Sequence, residues 1–408
     1  MEHITYIEGG VCAPKGFKAS GIHCGIRSHN PEKKDLALIV SEKLCNAAAV
    51  YTTNKVKGAP LLVTKEHLKN GKAKAIICNS GNANTCAPGG EELARKTCAL
   101  TAAHIDAKEQ DIIVCSTGVI GEPLSIEPFE KGMGQLVETL SEQGGTMAAE
   151  AMMTTDTVSK ECAVEFEISG TVCRLGAAAK GSGMIDPNMA TMLSFITTDA
   201  AISSELLQKA LSEDIADTYN QLSVDGDTST NDTVAILANG MAGNTEITEE
   251  GEDFTCFTKA LWMVNSVLVK KLARDGEGAT KLIECEVKGA PDKETARCLS
   301  KSVIRSDLLK AAMFGQDANW GRVLCALGYA EADFDASDIQ VEIRSAKGTV
   351  KVCEHSALFP HSEEAAAEVL SEKEIQIIVD LNQGEENAAA WGCDLTYDYV
   401  KINGDYRS

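Results

Sequence analysis

The chain has 408 residues, of which 44% are hydrophobic and 24% charged, and its formal net charge is −22. This is the composition of an ordinary globular protein, long enough for two domains or one large two-layered unit. The acidic excess argues against a nucleic-acid or anionic-membrane partner, which would repel it, and no apolar run approaches the ~18 residues of a membrane span.

The chain opens Met-Glu-His-Ile-Thr-Tyr, with no basic n-region and no apolar h-region, so a cytoplasmic protein is expected. Fifteen cysteines are scattered without any Cys-x-x-Cys, and several fall in apolar stretches, as Cys78 and Cys325 do. They read as buried free thiols in a reducing compartment. The seven histidines form no HExxH or paired-ligand pattern, so no metal site and no cofactor are expected.

In chain order, Ala75-Ile76-Ile77-Cys78 reads as a strand running into the polar loop NSGNAN at 79–84. A helix is expected over 91–105, and a strand from Asp111 to Cys115 runs into the loop STGVIG at 116–121. Strands at 161–168 and 171–178 flank Ser169-Gly170, a hairpin turn. A β-rich stretch from Thr191 to Thr198 precedes a helix over 203–220, with Ser203 or Ser204 as its cap before Glu205. Further strands are expected near 233–238, 339–344, 349–353 and 375–381, and further helices over 256–273, 295–313 and 362–371. The alternation lacks a regular βαβ period, which predicts a mixed-sheet α/β sandwich.

The segment AAAKGSGMIDPNMATMLSFITTDA at 177–200 joins a Gly181-Ser182-Gly183 turn to the loop-former Asp186-Pro187-Asn188. A loop entering a buried strand accounts for it without chemistry. A second role is open to Thr191. Its hydroxyl can attack the Ala190 carbonyl, giving an N-to-O acyl shift and an ester that water cleaves. The new amino terminus then supplies its own base, since an α-amine has a pKa of roughly 7.7–8.0. An oxyanion hole is available in STGVIG, where Gly118 offers an approachable N–H and Thr117 a hydroxyl, although a plain strand-to-turn connection explains the same residues.

Together these segments resemble the ornithine acetyltransferase family, glutamate N-acetyltransferases of arginine biosynthesis. The resemblance is carried nearly end to end by NSGNANTCAPG (79–89), STGVIG (116–121), MMTTDT (152–157) and KGSGMIDPNMATML (180–193). It continues in SVDGDTSTND (223–232), ARDGEGATK (273–281), ANWGR (318–322) and YVKINGDYRS (399–408). It implies an α/β sandwich of the self-processing aminopeptidase type, self-cleaved between Ala190 and Thr191 into an α chain of residues 1–190 and a β chain of residues 191–408. It further implies Thr191 as nucleophile, with Thr117 and Gly118 as oxyanion hole. Substrate would be held by Thr154, Lys180, Thr191, Glu277, Asn403 and Ser408. Lys180 suits a substrate carboxylate and Glu277 an ammonium. Taken alone, those two are charges on loops, and Asn403 and Ser408 are a frayed tail. The implied partners are N-acetylornithine, glutamate and the chain's own cleaved halves as an α2β2 heterotetramer. Two positions depart from the family pattern. Asp186 stands where alanine is frequent, adding a charge beside the turn, and Ala318 stands where proline precedes NWGR, which should loosen that turn.

Acetyl-CoA is a conceivable second acetyl donor, but the net charge of −22 and the lack of a glycine-rich phosphate cradle predict a slow or absent reaction with it. Among rivals, Asp225-x-Asp227 in SVDGDTSTND suggests an aspartyl phosphotransferase, but the preceding YNQLSV does not read as a buried apolar strand. As a calcium loop it fails at Thr230 and Ile236, where glycine and glutamate are needed. A hydrolase of the same architecture would release acetate without glutamate, and a binding protein would never cleave.

Overall fold

The computed structural model describes residues 4–27, 30–186 and 192–405. Among these, two mixed sheets and the helices packed on them form an α/β layered fold. The larger sheet runs in the order Thr5–Ile7, Lys160–Ile168, Thr171–Lys180, Leu193–Thr198, Thr233–Ala238, Leu36–Tyr51, Lys72–Asn79 and Ile112–Ser116. Phe17–Ile22 pairs beside Leu36–Tyr51 as its ninth strand. The smaller, seven-stranded sheet runs Ala357–Leu358, Gly348–Glu354, Gln340–Ser345, Glu374–Asp380, Leu282–Ala290, Glu386–Cys393 and Leu222–Ser223.

The hairpin at Ser169-Gly170 is a two-residue turn with positive φ at both positions, +46° and +80°. That handedness matches the twist of the strands it joins. Leu36–Tyr51 is long for a strand because it serves two partners along one edge. Its first part pairs with Phe17–Ile22 and its last with Thr233–Ala238. Its pairing with Lys72–Asn79 breaks register between Val40 and Cys45, which lets the strand turn from one partner to the other.

Helix Glu252–Arg274 lies between the sheets. Phe254, Phe257, Leu261, Val264, Leu268 and Leu272 recur at helical spacing and are buried. Acidic Glu252 and Asp253 open it and Lys271 and Arg274 close it, in favour of the helix dipole. Phe257 meets Phe166 of the larger sheet edge-on at 6.2 Å, and Lys270 lies 5.8 Å from the ring of Trp391 in the smaller one.

The expected helices over 91–105 and 362–371 correspond to Gly90–Ile105 and Glu363–Leu370. Ser203 caps Ser204–Asp217, its side chain accepting from Leu206 N–H, and a short 3-10 turn at Tyr219–Gln221 follows. Two expectations need correction. The single helix over 295–313 is two, Lys293–Arg305 and Asp307–Phe314. Between them Ser306 is extended, and its hydroxyl caps the second helix by accepting from Leu309 N–H. YNQLSV also differs from expectation. Tyr219, Leu222 and Val224 are fully buried, and Leu222–Ser223 is a strand of the smaller sheet.

Among the described residues, no helix is long and apolar enough to cross a membrane.

Candidate active site

The strand Ile112–Ser116 ends in the loop carrying Thr117 and Gly118, and that loop lies against the turn following Lys72–Asn79. The Asn79 side chain holds the junction. Its amide donates to Ser116 Oγ at 2.7 Å, and its carbonyl accepts from the N–H groups of Gly81 and Asn82. Gly118 has φ +125°, and a Cβ there would lie 2.6 Å from the Gly81 carbonyl carbon. Only glycine fits that approach.

Lys180 ends the Thr171–Lys180 strand, nearly buried, and its ammonium donates to Thr117 Oγ1 at 3.1 Å. With that lone pair occupied, the threonine's own proton is left to point elsewhere. Burial pulls the Lys180 ammonium below its ordinary pKa, while Asp156 and Asp232 act to raise it. Asp156 is itself buried, which favours its neutral form, yet Lys160 and Lys180 hold its carboxyl below the usual range. Its oxygens accept from Lys160 Nζ at 2.6 Å, Gly181 N–H at 2.7 Å and Thr154 N–H at 3.0 Å. Lys160 also reaches Asp275 at 2.6 Å, and the Asp275 carbonyl accepts from Ser182 Oγ. This buried ionic cluster therefore fixes both Thr154 and the glycine turn after Lys180.

Glu277 enters from the loop after Glu252–Arg274, its N–H donating to Ser182 O at 2.9 Å. Its carboxylate packs so close to Gly183 that a Cβ there would lie 2.4 Å away. Asn403, on the terminal helix Tyr397–Asp405, donates to Glu277 Oε2 at 2.7 Å. The carboxyl-terminal helix is thereby tied to the site instead of fraying.

Thr117, Gly118, Thr154, Lys180, Glu277 and Asn403 converge on one cavity of about 240 Å³. Ala190, Thr191 and Ser408 lie outside the described residues, but Met192 and Leu193 line that cavity. It offers a cation at one wall and a carboxylate at another, the pair needed to bind an amino acid's carboxylate and ammonium. Among the described residues no cluster of His, Cys, Asp and Glu could hold a metal ion.

The profile of the ArgJ family matches residues 18–408. The chain belongs to the ArgJ family. It is 51% identical over 403 residues to the arginine biosynthesis bifunctional protein ArgJ of Caldanaerobacter subterraneus subsp. tengcongensis, covering 98% of this chain and 99% of that one. It is 44% identical over 411 residues to the protein of the same name from Bacillus subtilis, covering 100% of this chain and 98% of that one. The crystal structure of the Bacillus halodurans arginine biosynthesis bifunctional protein ArgJ is 46% identical, with a TM-score of 0.51. It covers 53% of this chain and 100% of that chain.

In this ArgJ-family chain several residues that sequence reading passed over shape the site. Asn231 donates to the carbonyls of Ala83 and Ser116 and accepts from Thr85 and Thr230. It thus joins the Thr117 loop to the residues before Thr233–Ala238. Asp232 beside it is buried in the cavity wall, and burial pushes its carboxyl well above the ordinary range. Asp225, the residue of the phosphotransferase rival, is engaged with the backbone. Its two oxygens take the backbone N–H groups of Met184 and Ile185, at 2.7 and 2.8 Å. Asp186 is buried, with Lys301 and Arg305 each 3.2 Å away, so the departure adds a paired charge and not a free one. The turn at Ala318 is closed despite the missing proline, by Trp320 N–H on the Ala318 carbonyl and by Asn319 capping the next helix. In the sequence Asp225 stood out only in the Asp225-x-Asp227 pattern, and Asn231 only as a member of SVDGDTSTND.

Proposed function

We propose that this ArgJ-family enzyme transfers the acetyl group of N2-acetylornithine to glutamate through an acetyl ester on Thr191, in arginine biosynthesis. The observation that carries the reading is the single cavity joining Thr117 and Gly118 to Lys180, Glu277 and Asn403. Met192, on its wall, directly follows Thr191 in the chain. The Thr191 hydroxyl first attacks the Ala190 carbonyl, collapse breaks the Ala190–Thr191 C–N bond and frees the Thr191 amine, and water then cleaves the resulting ester to an Ala190 carboxylate and the Thr191 hydroxyl. In turnover the hydroxyl adds to the acetyl carbonyl while that amine takes its proton. Gly118 N–H and the Thr117 hydroxyl stabilise the oxyanion. Collapse breaks the amide, and the amine's proton goes to departing ornithine. The glutamate amine then attacks the ester and Thr191 leaves as the hydroxyl.

Cleavage at this point is supported by the Bacillus halodurans crystal chain, matched along its whole length by 53% of this one. The proposed half after the cut, residues 191–408, is the same share of the chain, 218 of 408 residues. The two halves staying together as an α2β2 assembly, and a cytoplasmic location, belong to the same reading. The relatives' name, bifunctional, supports a second activity alongside this one, and acetyl-CoA is its natural donor. The acidic charge argues that this second reaction is the slower, which coenzyme A release with glutamate and without N-acetylornithine measures directly.

The test of the whole reading is a denaturing gel with amino-terminal sequencing. Wild-type protein gives two fragments, one beginning at Thr191, and Thr191→Ala stays whole. The mature enzyme gives parallel initial-rate lines against its two substrates. A Thr191→Ala chain that still splits there, or intersecting lines, sinks the covalent route. Acetate release without glutamate at the full rate would make the enzyme a hydrolase.

A further inference from the structure

Backbone groups of Met184, Ile185 and Asp186, leading into the cleavage segment, are held by residues from the far side of that segment. Asp225 Oδ2 accepts from Met184 N–H at 2.7 Å and Asp225 Oδ1 from Ile185 N–H at 2.8 Å. The Ile185 carbonyl accepts from Val224 N–H at 2.6 Å, and Ile185 bridges to Thr228 in antiparallel fashion. Thr228 Oγ1 donates to the Asp186 carbonyl at 2.9 Å. The Asp186 carboxylate then faces Lys301 and Arg305. Met184 meanwhile adopts φ +53°, a left-handed conformation that a non-glycine residue keeps only when its surroundings impose it.

From this we infer that Asp225 is a positioning residue, a two-oxygen grip that orients the backbone entering the cleavage segment and so sets the rate of self-processing. The inference rests on the self-processing reading above. The chemistry favours a carboxylate for this task. Two adjacent N–H groups point the same way only in a turned backbone, and a carboxylate presents two acceptors and no donor, whereas an amide presents one acceptor and a donor that would repel. The grip also outlasts the cut. Met184 and Ile185 belong to the half before Thr191 and Asp225 to the half after it, so the grip keeps Met184 and Ile185 beside the cavity that Gly183 and Met184 line. Tyr399 on the terminal helix donates to the same Oδ2 at 3.3 Å, joining that helix to the grip.

The experiment follows conversion of freshly purified full-length precursor to its two fragments on denaturing gels, with circular dichroism reporting folding. Asp225→Asn is isosteric but loses one acceptor, and we expect processing slower by about tenfold or more. Asp225→Glu is bulkier but keeps two acceptors, and should process faster than Asp225→Asn. A packing role predicts the reverse order, and that order would overturn the inference. Thr228→Val keeps shape and removes only the bond to the Asp186 carbonyl. It should slow processing of a folded chain, and it decides the matter if the Asp225 variants fail to fold. Folded Asp225→Asn or Thr228→Val cutting at the wild-type rate overturns the grip alone. Wild-type chain that stays whole overturns the self-processing reading, and this inference with it.

Discussion

Lys180 ends one strand and Thr117 follows another, and their contact settles the direction in which a hydroxyl can act. An ammonium has only donors, so at 3.1 Å it must occupy a lone pair of Thr117 Oγ1 and leave that hydroxyl's proton to be given away. A donor kept in that orientation before substrate arrives has no reorganisation to do when charge develops. Thr117→Ala is therefore expected to lower kcat by roughly a hundredfold with little change in KM. A near-normal kcat would remove Thr117 from the chemistry. A second residue-scale expectation concerns Asp214, remote from the cavity wall. Burial raises its carboxyl from the ordinary 3.8 to about 7, although Asn265 and Thr218 donate to it. Between those values the folded protein keeps a proton that the unfolded chain has lost, so stability falls as pH rises from about 4 to about 7. Asp214→Asn removes that dependence. Its Tm, compared with wild type at pH 5 and pH 8, should gain on wild type at the higher pH, and parallel profiles would refute the assignment. Thr117, Lys180 and Glu277 line one cavity, and in the sequence only the motifs around them set them apart. Asp225 was left without a role because its partners, Met184 and Ile185, lie about forty residues away, and nothing in SVDGDTSTND itself announces two N–H groups waiting there.

At the scale of elements, helices and hairpins were read where the signal is local. The paired positive φ values of Ser169 and Gly170 come from a two-residue turn, and the Ser203 cap from a hydroxyl three residues before its donor. The break at Ser306 was missed because Leu299, Val303, Leu309 and Met313 keep an apolar pattern across it. The extended backbone of Ser306 is fixed by its hydroxyl accepting from Leu309 N–H. Ser306→Ala should cost about 1 kcal/mol, measured as a lower urea midpoint at unchanged slope. No loss would mean that packing alone sets the bend. Leu36–Tyr51 escaped for another reason. Its course is decided by Phe17–Ile22 and Thr233–Ala238, one of them nearly two hundred residues distant, and a local window contains neither.

At the scale of the molecule, the two proposed halves are woven into one sheet. Leu193–Thr198 and Thr233–Ala238 follow the cut, yet they lie side by side between Thr171–Lys180 and Leu36–Tyr51, which precede it. Both outer edges of that parallel pair are hydrogen-bonded along their length. Separating the halves would open two ladders and the apolar faces above and below them. The processed fragments should therefore elute together from a sizing column in native buffer and part only in denaturant. Elution as separate species without denaturant would contradict the woven sheet.

That weave also sets a timetable for synthesis. A ribosome delivers residues 1–190 first, without the Leu193–Thr198 and Thr233–Ala238 strands that lie between Thr171–Lys180 and Leu36–Tyr51 in the whole sheet, so the latter two strands would each present an unpaired edge. Such edges are templates for pairing with other chains. A covalent link between the halves guarantees that the missing strands arrive on the same molecule, at high local concentration, before a neighbour can take their place. Cutting afterwards sacrifices nothing, because by then the sheet is closed. On the self-processing reading the peptide bond before Thr191 would serve as a tether during assembly, and a gene split at that point would be expected to yield insoluble amino-terminal half unless both parts were made together.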